Sequence, residues 1–177
     1  MGVSDHPEGP FKLLSPYRYT DAVGDNGTFN DAGVLVDSDG RVFVYYGYEA
    51  SYMNELNPET MCDVVPGSLR YPVIADGEDV PPEQRFFEAS SPRKVGDTYY
   101  LIYSPRRGSR LAYATAPSPT GPFTCRGYII DNGVDYPGGN NHGSIACLNG
   151  QWYVFYCVDK GSAPWRGKRR AISGWMV

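Results

Sequence analysis

Glu88 stands in the stretch FFEASSP, between two phenylalanines and a run of small residues, just ahead of the apolar run TYYLIYS. Aromatic neighbours make a carboxylate costly to ionise. Such a group is either buried and paired for structural reasons, or kept protonated so that it can release a proton on demand. A second carboxylate, Asp31, lies 57 positions earlier, beside Asn30, Gly33 and the polar segment GDNGTFND, surroundings that favour its ionised form. Two carboxylates facing one pocket are what cleavage of a glycosidic bond requires: an acid protonates the leaving oxygen while a second group works on the other face of the sugar. Of the two, Glu88 suits the acid, and Asp31 suits an ionised neighbour that holds the acid's proton.

The elements that would bring these residues together form an internal repeat. DSDGRVFVYYG (37–47), VGDTYYLIYS (95–104) and LNGQWYVFYC (148–157) each join a Gly/Asp/Asn turn to a β-rich strand ending in Tyr, at Tyr46, Tyr103 and Tyr156. HPEGPF (6–11) and SPTGPF (118–123) recur two such periods apart. Self-similarity near this spacing, with several short strands per unit, is the mark of a β-propeller blade. The alternative is a sandwich of irregular hairpins. Fifteen positions before each repeat's Tyr stand Asp31, Glu88 and Asn141. Each is expected to begin the first strand of its blade, where strands from successive blades converge on a central funnel. Matched polar residues at such a position fit binding or catalysis better than packing.

The bulk composition agrees. The chain has 177 residues, 14% aromatic with 15 Tyr, and 21 Gly with 15 Pro, which predicts an all-β protein rich in turns. A net charge of -4 argues against a nucleic-acid or membrane-surface partner. Cys62, Cys125, Cys147 and Cys157 show no CxxC spacing, so they are expected to be free and mostly buried rather than zinc ligands, a disulfide being the alternative. No apolar run reaches a membrane span and no signal peptide opens the chain, which predicts a cytoplasmic protein. The sequon Asn26-Gly27-Thr28 carries no weight without secretion, and RGKRR (166–170) reads as a solvated tail. Trp152, within a second strand, is expected in the core, and Phe29 and Phe87 are candidates for sugar stacking or core.

In combination, NDAGVLVDSDGRVFVYYG, FFEASSPRKVGDTYYLIYS, LAYATAPSPTGPF and GNNHGSIACLNGQWYVFY resemble glycoside hydrolase family 43. The resemblance implies a five-bladed β-propeller that cleaves xylosidic and arabinosidic linkages with inversion. It implies Glu88 as general acid and Asp31 as the residue that tunes its pKa and orients substrate. It places His142 beneath the active site, where a structural calcium ion is possible, and no cofactor is required. Asn30, Phe87 and Asn141 are the expected substrate contacts, and the partner is a xylo- or arabino-oligosaccharide.

Two departures limit the resemblance. The family's general base is an Asp in the first strand of the first blade, and no residue here matches it. Past Tyr156, Cys157 stands where the family has His, and the similarity fades. At about 57 residues per blade, five blades need roughly 285 residues. The expectation is therefore an incomplete propeller of about three blades, near 12–67, 68–123 and 124–177, lacking the first blade. Such a chain is either part of a glycosidase or a catalytically inactive carbohydrate-binding remnant or truncated fragment, and a homo-oligomer is possible as a way of covering its open β-edges.

Overall fold

The computed structural model describes residues 1–14, 29–131 and 141–157. The sequon and the RGKRR cluster lie outside the described residues. Strands β1 (Gly2–Val3) and β2 (Lys12–Leu13) form a short antiparallel pair. A three-stranded antiparallel sheet follows, from β3 (Gly33–Val36), β4 (Val42–Tyr46) and β5 (Tyr52–Leu56). The next sheet has five strands: β6 (Ile74–Ala75), β7 (Phe86–Val95), β8 (Thr98–Pro105), β9 (Arg110–Ala116) and β10 (Phe123–Asp131), in the order β6-β10-β9-β8-β7. The strand β10 runs across the boundary expected at 123/124, because it pairs with β9 along most of its length. A hairpin of β11 (Gly143–Leu148) and β12 (Gln151–Tyr156) ends the described chain. Apart from one 3-10 turn at Pro82–Gln84, no helix occurs among the described residues.

Turn chemistry sets the registers. Asn149-Gly150 joins β11 to β12 with φ of 51° and 77°, the positive pair that a two-residue Asn-Gly turn supplies and that matches strand twist. Gly96-Asp97 joins β7 to β8 with Gly96 at φ 57°, the first-position glycine of the other favoured two-residue turn. The five residues between β3 and β4 close through Gly40 N–H donating to the Asp37 carbonyl at 3.0 Å. The repeat legible in the sequence is thus a repeat of first hairpins.

The core lies between sheets. Phe43, Tyr45 and Met53 from the three-stranded sheet pack with Phe86, Leu101, Tyr103 and Phe123 from the five-stranded one. Ile102 and Leu111 meet Ile145 of the last hairpin, with Trp152 packed alongside, as expected of a core residue. Phe29 also belongs to the interior, its ring edge-on to Tyr46 at 4.7 Å. Face-to-face stacking of small twisted sheets is the packing of propeller blades. The fold is all-β, and the described sheets make up part of a β-propeller. The strands β3 and β7, each at the edge of its sheet, lie side by side, with β11 against β7 and β8. One expectation needs correction: none of the four free cysteines is fully buried, Cys147 being exposed and the others half-buried. Cys147 sits on a two-stranded hairpin too small to cover both of its faces.

Candidate active site

Asp31, Glu88 and His142 come together where β3, β7 and β11 begin. One ligating atom from each lies within 4.8 Å of the others. His142 Nε2 is 3.3 Å from Glu88 Oε1 and 3.8 Å from Asp31 Oδ2. Glu88 is buried, whereas Asp31 and His142 are open to solvent. Glu88 is the third residue of β7, but Asp31 and Asn141 each precede their strands by two residues. For Asp31 the reason is its φ of 45°, a left-handed turn conformation that a strand does not admit. Ala89, next to Glu88, is also left-handed at φ 62°, and the pairing of β7 with β8 shifts register on both sides of Glu88. A bulge of this kind turns a side chain out of the regular alternation, here at the carboxylate itself.

Glycine makes the convergence possible. A Cβ on Gly33 would come within 2.2 Å of the Ser90 carbonyl oxygen, so only glycine lets β3 lie this close to β7. Gly143 plays the same part for the last hairpin, where a Cβ would meet Leu111 and the Phe155 carbonyl at 2.3 Å. The two glycines stand thirteen positions before Tyr46 and Tyr156, a shared register readable in the sequence. A cavity of about 330 Å³ opens beside the cluster, lined by Asp31 and His142 and by the small residues Ala32, Ala89, Ser90 and Gly143.

The remaining candidates sit around this cluster. Phe87 is half-buried, with its ring 4.9 Å from that of Tyr48. Asn30 donates from Nδ2 to the Gly47 carbonyl at 3.3 Å and accepts from the Gly47 N–H at 3.1 Å, bracing the β4–β5 loop. Asn141 is fully buried, and its Oδ1 accepts the Cys157 backbone N–H at 2.8 Å.

The geometry limits the chemistry. Inverting hydrolysis needs carboxyl groups about 6.5–9.5 Å apart to admit a water, and the retaining geometry about 5–5.5 Å. One oxygen each of Asp31 and Glu88 lie within 4.8 Å of each other, a closer approach than the inverting separation. Two carboxylates and an imidazole could also hold a cation. Calcium takes six to eight oxygens, so these side chains would fill only part of its shell and water would have to complete it.

No family model matches the chain. A xylosidase/arabinosidase of Thermoclostridium stercorarium is 34% identical over 88% of this chain and 38% of its own. The crystal structure of a GH43_1 enzyme from Xanthomonas citri superposes with a TM-score of 0.70 at 29% identity, over 88% of this chain and 54% of that one. These relatives and structural neighbours are glycoside hydrolase family 43 proteins, and the similarity runs over 88% of this chain. The chain spans 38% to about half of the length of these family 43 relatives. The Xanthomonas enzyme has also been solved with xylose and with xylotriose. A family 43 β-xylosidase/α-arabinofuranosidase from a compost metagenome, with xylotriose and in a calcium-free form, matches at a TM-score of 0.71 and 28% identity, over 88% of this chain and 55% of its own.

A second polar cluster escaped the sequence reading. At the far end of the same two strands, Asp37 accepts bonds from Lys94 Nζ, the Tyr99 hydroxyl and the Ser38 N–H. Burial opposes the charge of Asp37, but these donors outweigh it and hold its carboxyl well below the usual carboxylate range. Asp37 and Lys94 are 57 positions apart, the same offset as Asp31 and Glu88.

Proposed function

We propose that this chain carries the proton-donating half of an inverting glycosidase site for xylose- or arabinose-containing glycosides. The repeats near 12–67, 68–123 and 124–177 are read as successive blades. Glu88 gives its proton to the glycosidic oxygen as the bond from that oxygen to the anomeric carbon breaks. Water adds to the anomeric carbon and loses its proton to a base assigned to no residue of this chain. The observation that carries this reading is the meeting of Asp31 with a buried Glu88.

Asp31 stands beside Glu88 and orients the substrate against it. His142 Nε2, within hydrogen-bond reach of Glu88 Oε1 at 3.3 Å, holds the orientation of that carboxyl. Phe87 offers a stacking face to the sugar. Asn30 and Asn141 act on the sugar site through the β4–β5 loop and the His142 segment that they brace. A structural calcium ion, held in part by His142, would supply charge and rigidity and no step of the reaction. The names of the relatives support a carbohydrate ligand of the xylo- or arabino-type.

A second reading rests on the short Asp31–Glu88 separation. If Asp31 serves Glu88 rather than water, a chain with no other base binds its sugar without cleaving it. The test is hydrolysis of aryl β-xyloside and aryl α-arabinofuranoside by the chain and by Glu88→Gln. Turnover lost in the variant supports the proposal, and turnover indifferent to it removes Glu88 as the acid. Xylotriose binding without turnover supports the second reading.

A further inference from the structure

Tyr48 is a large aromatic side chain left half in solvent, yet the residues on both sides of it are hydrogen-bonded to neighbouring segments. It sits in the β4–β5 loop, where Gly47 adopts φ 132° and Glu49 φ 57°. Besides the Asn30 Nδ2 bond to the Gly47 carbonyl, three bonds fix that loop. Gly47 N–H donates to the Asn30 carbonyl, and Glu49 N–H donates to the Phe87 carbonyl at 2.7 Å. Arg106 Nη2 donates to the Glu49 carbonyl at 2.9 Å, while Arg106 Nε reaches the Phe86 carbonyl at 3.4 Å. The Arg106 guanidinium thus ties the Tyr48 loop to the segment bearing Phe87 and Glu88, and the half-buried Asp76 faces it as a counter-charge. The anchored segments are the two that carry Asp31 and Glu88. The product is an aromatic pair, Tyr48 on Phe87, with one face open.

The cavity lining includes Asp31, His142, Ala32, Ala89 and Ser90 but neither Tyr48 nor Phe87. A volume of 330 Å³ is at the small end for ligand sites, so an oligosaccharide seated there extends outside it. Phe87 adjoins Glu88 in the chain, so the Tyr48–Phe87 pair offers an aromatic surface next to the acid and outside the cavity. Resting on the acid assignment above, we propose that Tyr48 is a specificity-determining residue that stacks on the sugar of the leaving-group side, and that Arg106 is the positioning residue that holds it there. A rigid aromatic face suits a sugar ring because little side-chain entropy is lost on binding.

The proposal is tested by calorimetric titration of xylose and xylotriose into the full chain carrying Glu88→Gln, with and without Tyr48→Ala, Arg106→Ala or Arg106→Lys. Losing one stacked ring is expected to weaken xylotriose about tenfold in Tyr48→Ala, with xylose unchanged. Arg106→Ala should do the same, with partial recovery in Arg106→Lys. Because Arg106→Ala also frees two backbone carbonyls, its melting curve is recorded, and Tyr48→Ala, a surface truncation, carries the test if that variant does not fold. Unchanged xylotriose affinity in Tyr48→Ala, equal weakening of xylose, or no xylotriose binding before Tyr48 is altered each overturns the proposal. The acid assignment fails separately, if Glu88→Gln hydrolyses aryl glycosides as well as the unaltered chain does.

Discussion

Two pairs of charged residues span the same two strands, in the same register, and differ in sign. Asp31 and Glu88 face each other where β3 and β7 begin, and Asp37 and Lys94 meet where β3 ends, each pair 57 positions apart. The Asp37 carboxyl is closed off, its oxygens taken by Lys94, Tyr99 and Ser38. Asp31 and Glu88 bring two acids together beside a cavity, with only an imidazole between them. Opposite charges at matched positions lock adjacent blades together. Two acids at matched positions beside a cavity, with no cation among the described residues pairing them off, are an arrangement that suits proton transfer better than packing. The neighbouring Gly33, which lets the two strands touch, serves both ends.

Breaking the two ends should therefore give different losses. The largest effect is expected from Glu88→Gln: activity on aryl glycosides falls by about 10²–10⁴-fold, the usual worth of a general acid. Its melting temperature should be unchanged, since Gln matches the shape of a protonated Glu. Next is Gly33→Ala. The added methyl overlaps the Ser90 carbonyl, and overpacking of this kind costs about 1–3 kcal/mol. It parts β3 from β7, so activity and thermal stability should fall together, as measured by assay and calorimetry on one sample.

Asp37→Asn should lower the melting temperature by about 5 °C, the loss of one or two charge-assisted bonds, with turnover per folded molecule unaffected. The smallest effect is in pH dependence. The Asp37 carboxyl has a lower pKa folded than unfolded, so below about pH 4 the unfolded state binds the extra proton first. Its contribution is present in full above that pH and is lost as pH falls further. Unfolding curves of the unaltered chain and Asp37→Asn should therefore converge on acidification below pH 4 and stay parallel above pH 5. A gap that widens in acid would contradict the clamp.

The sequence shows one end of this arrangement better than the other. Asp31 and Glu88 stand out because both are acidic at one repeat offset, a likeness that core packing does not explain. Asp37 and Lys94 share the offset but not the charge, so the repeat hides them until the strands are seen side by side. Gly33 and Gly143 share a register that is legible in the letters, yet only the approach of Ser90 and Leu111 shows why nothing larger fits. His142 lies on the third repeat, and no spacing rule relates it to Glu88; its place between the carboxylates comes from the stacking of β11 on β7. Asn141 keeps the register of the two acids but is turned inward, its oxygen spent on the Cys157 backbone. Periodicity locates a residue along a strand, whereas left-handed turns such as those at Asp31 and Ala89 decide where its side chain points.

The central claim is that the paired acids at the Asp31 end act on substrate while the opposite charges at the Asp37 end hold the blades. It is tested most directly by measuring aryl β-xyloside hydrolysis and melting temperature for Glu88→Gln and Asp37→Asn side by side. The account predicts that Glu88→Gln loses turnover and keeps its stability, whereas Asp37→Asn keeps turnover and melts earlier. Loss of both properties in both variants, or turnover that survives Glu88→Gln, would contradict it.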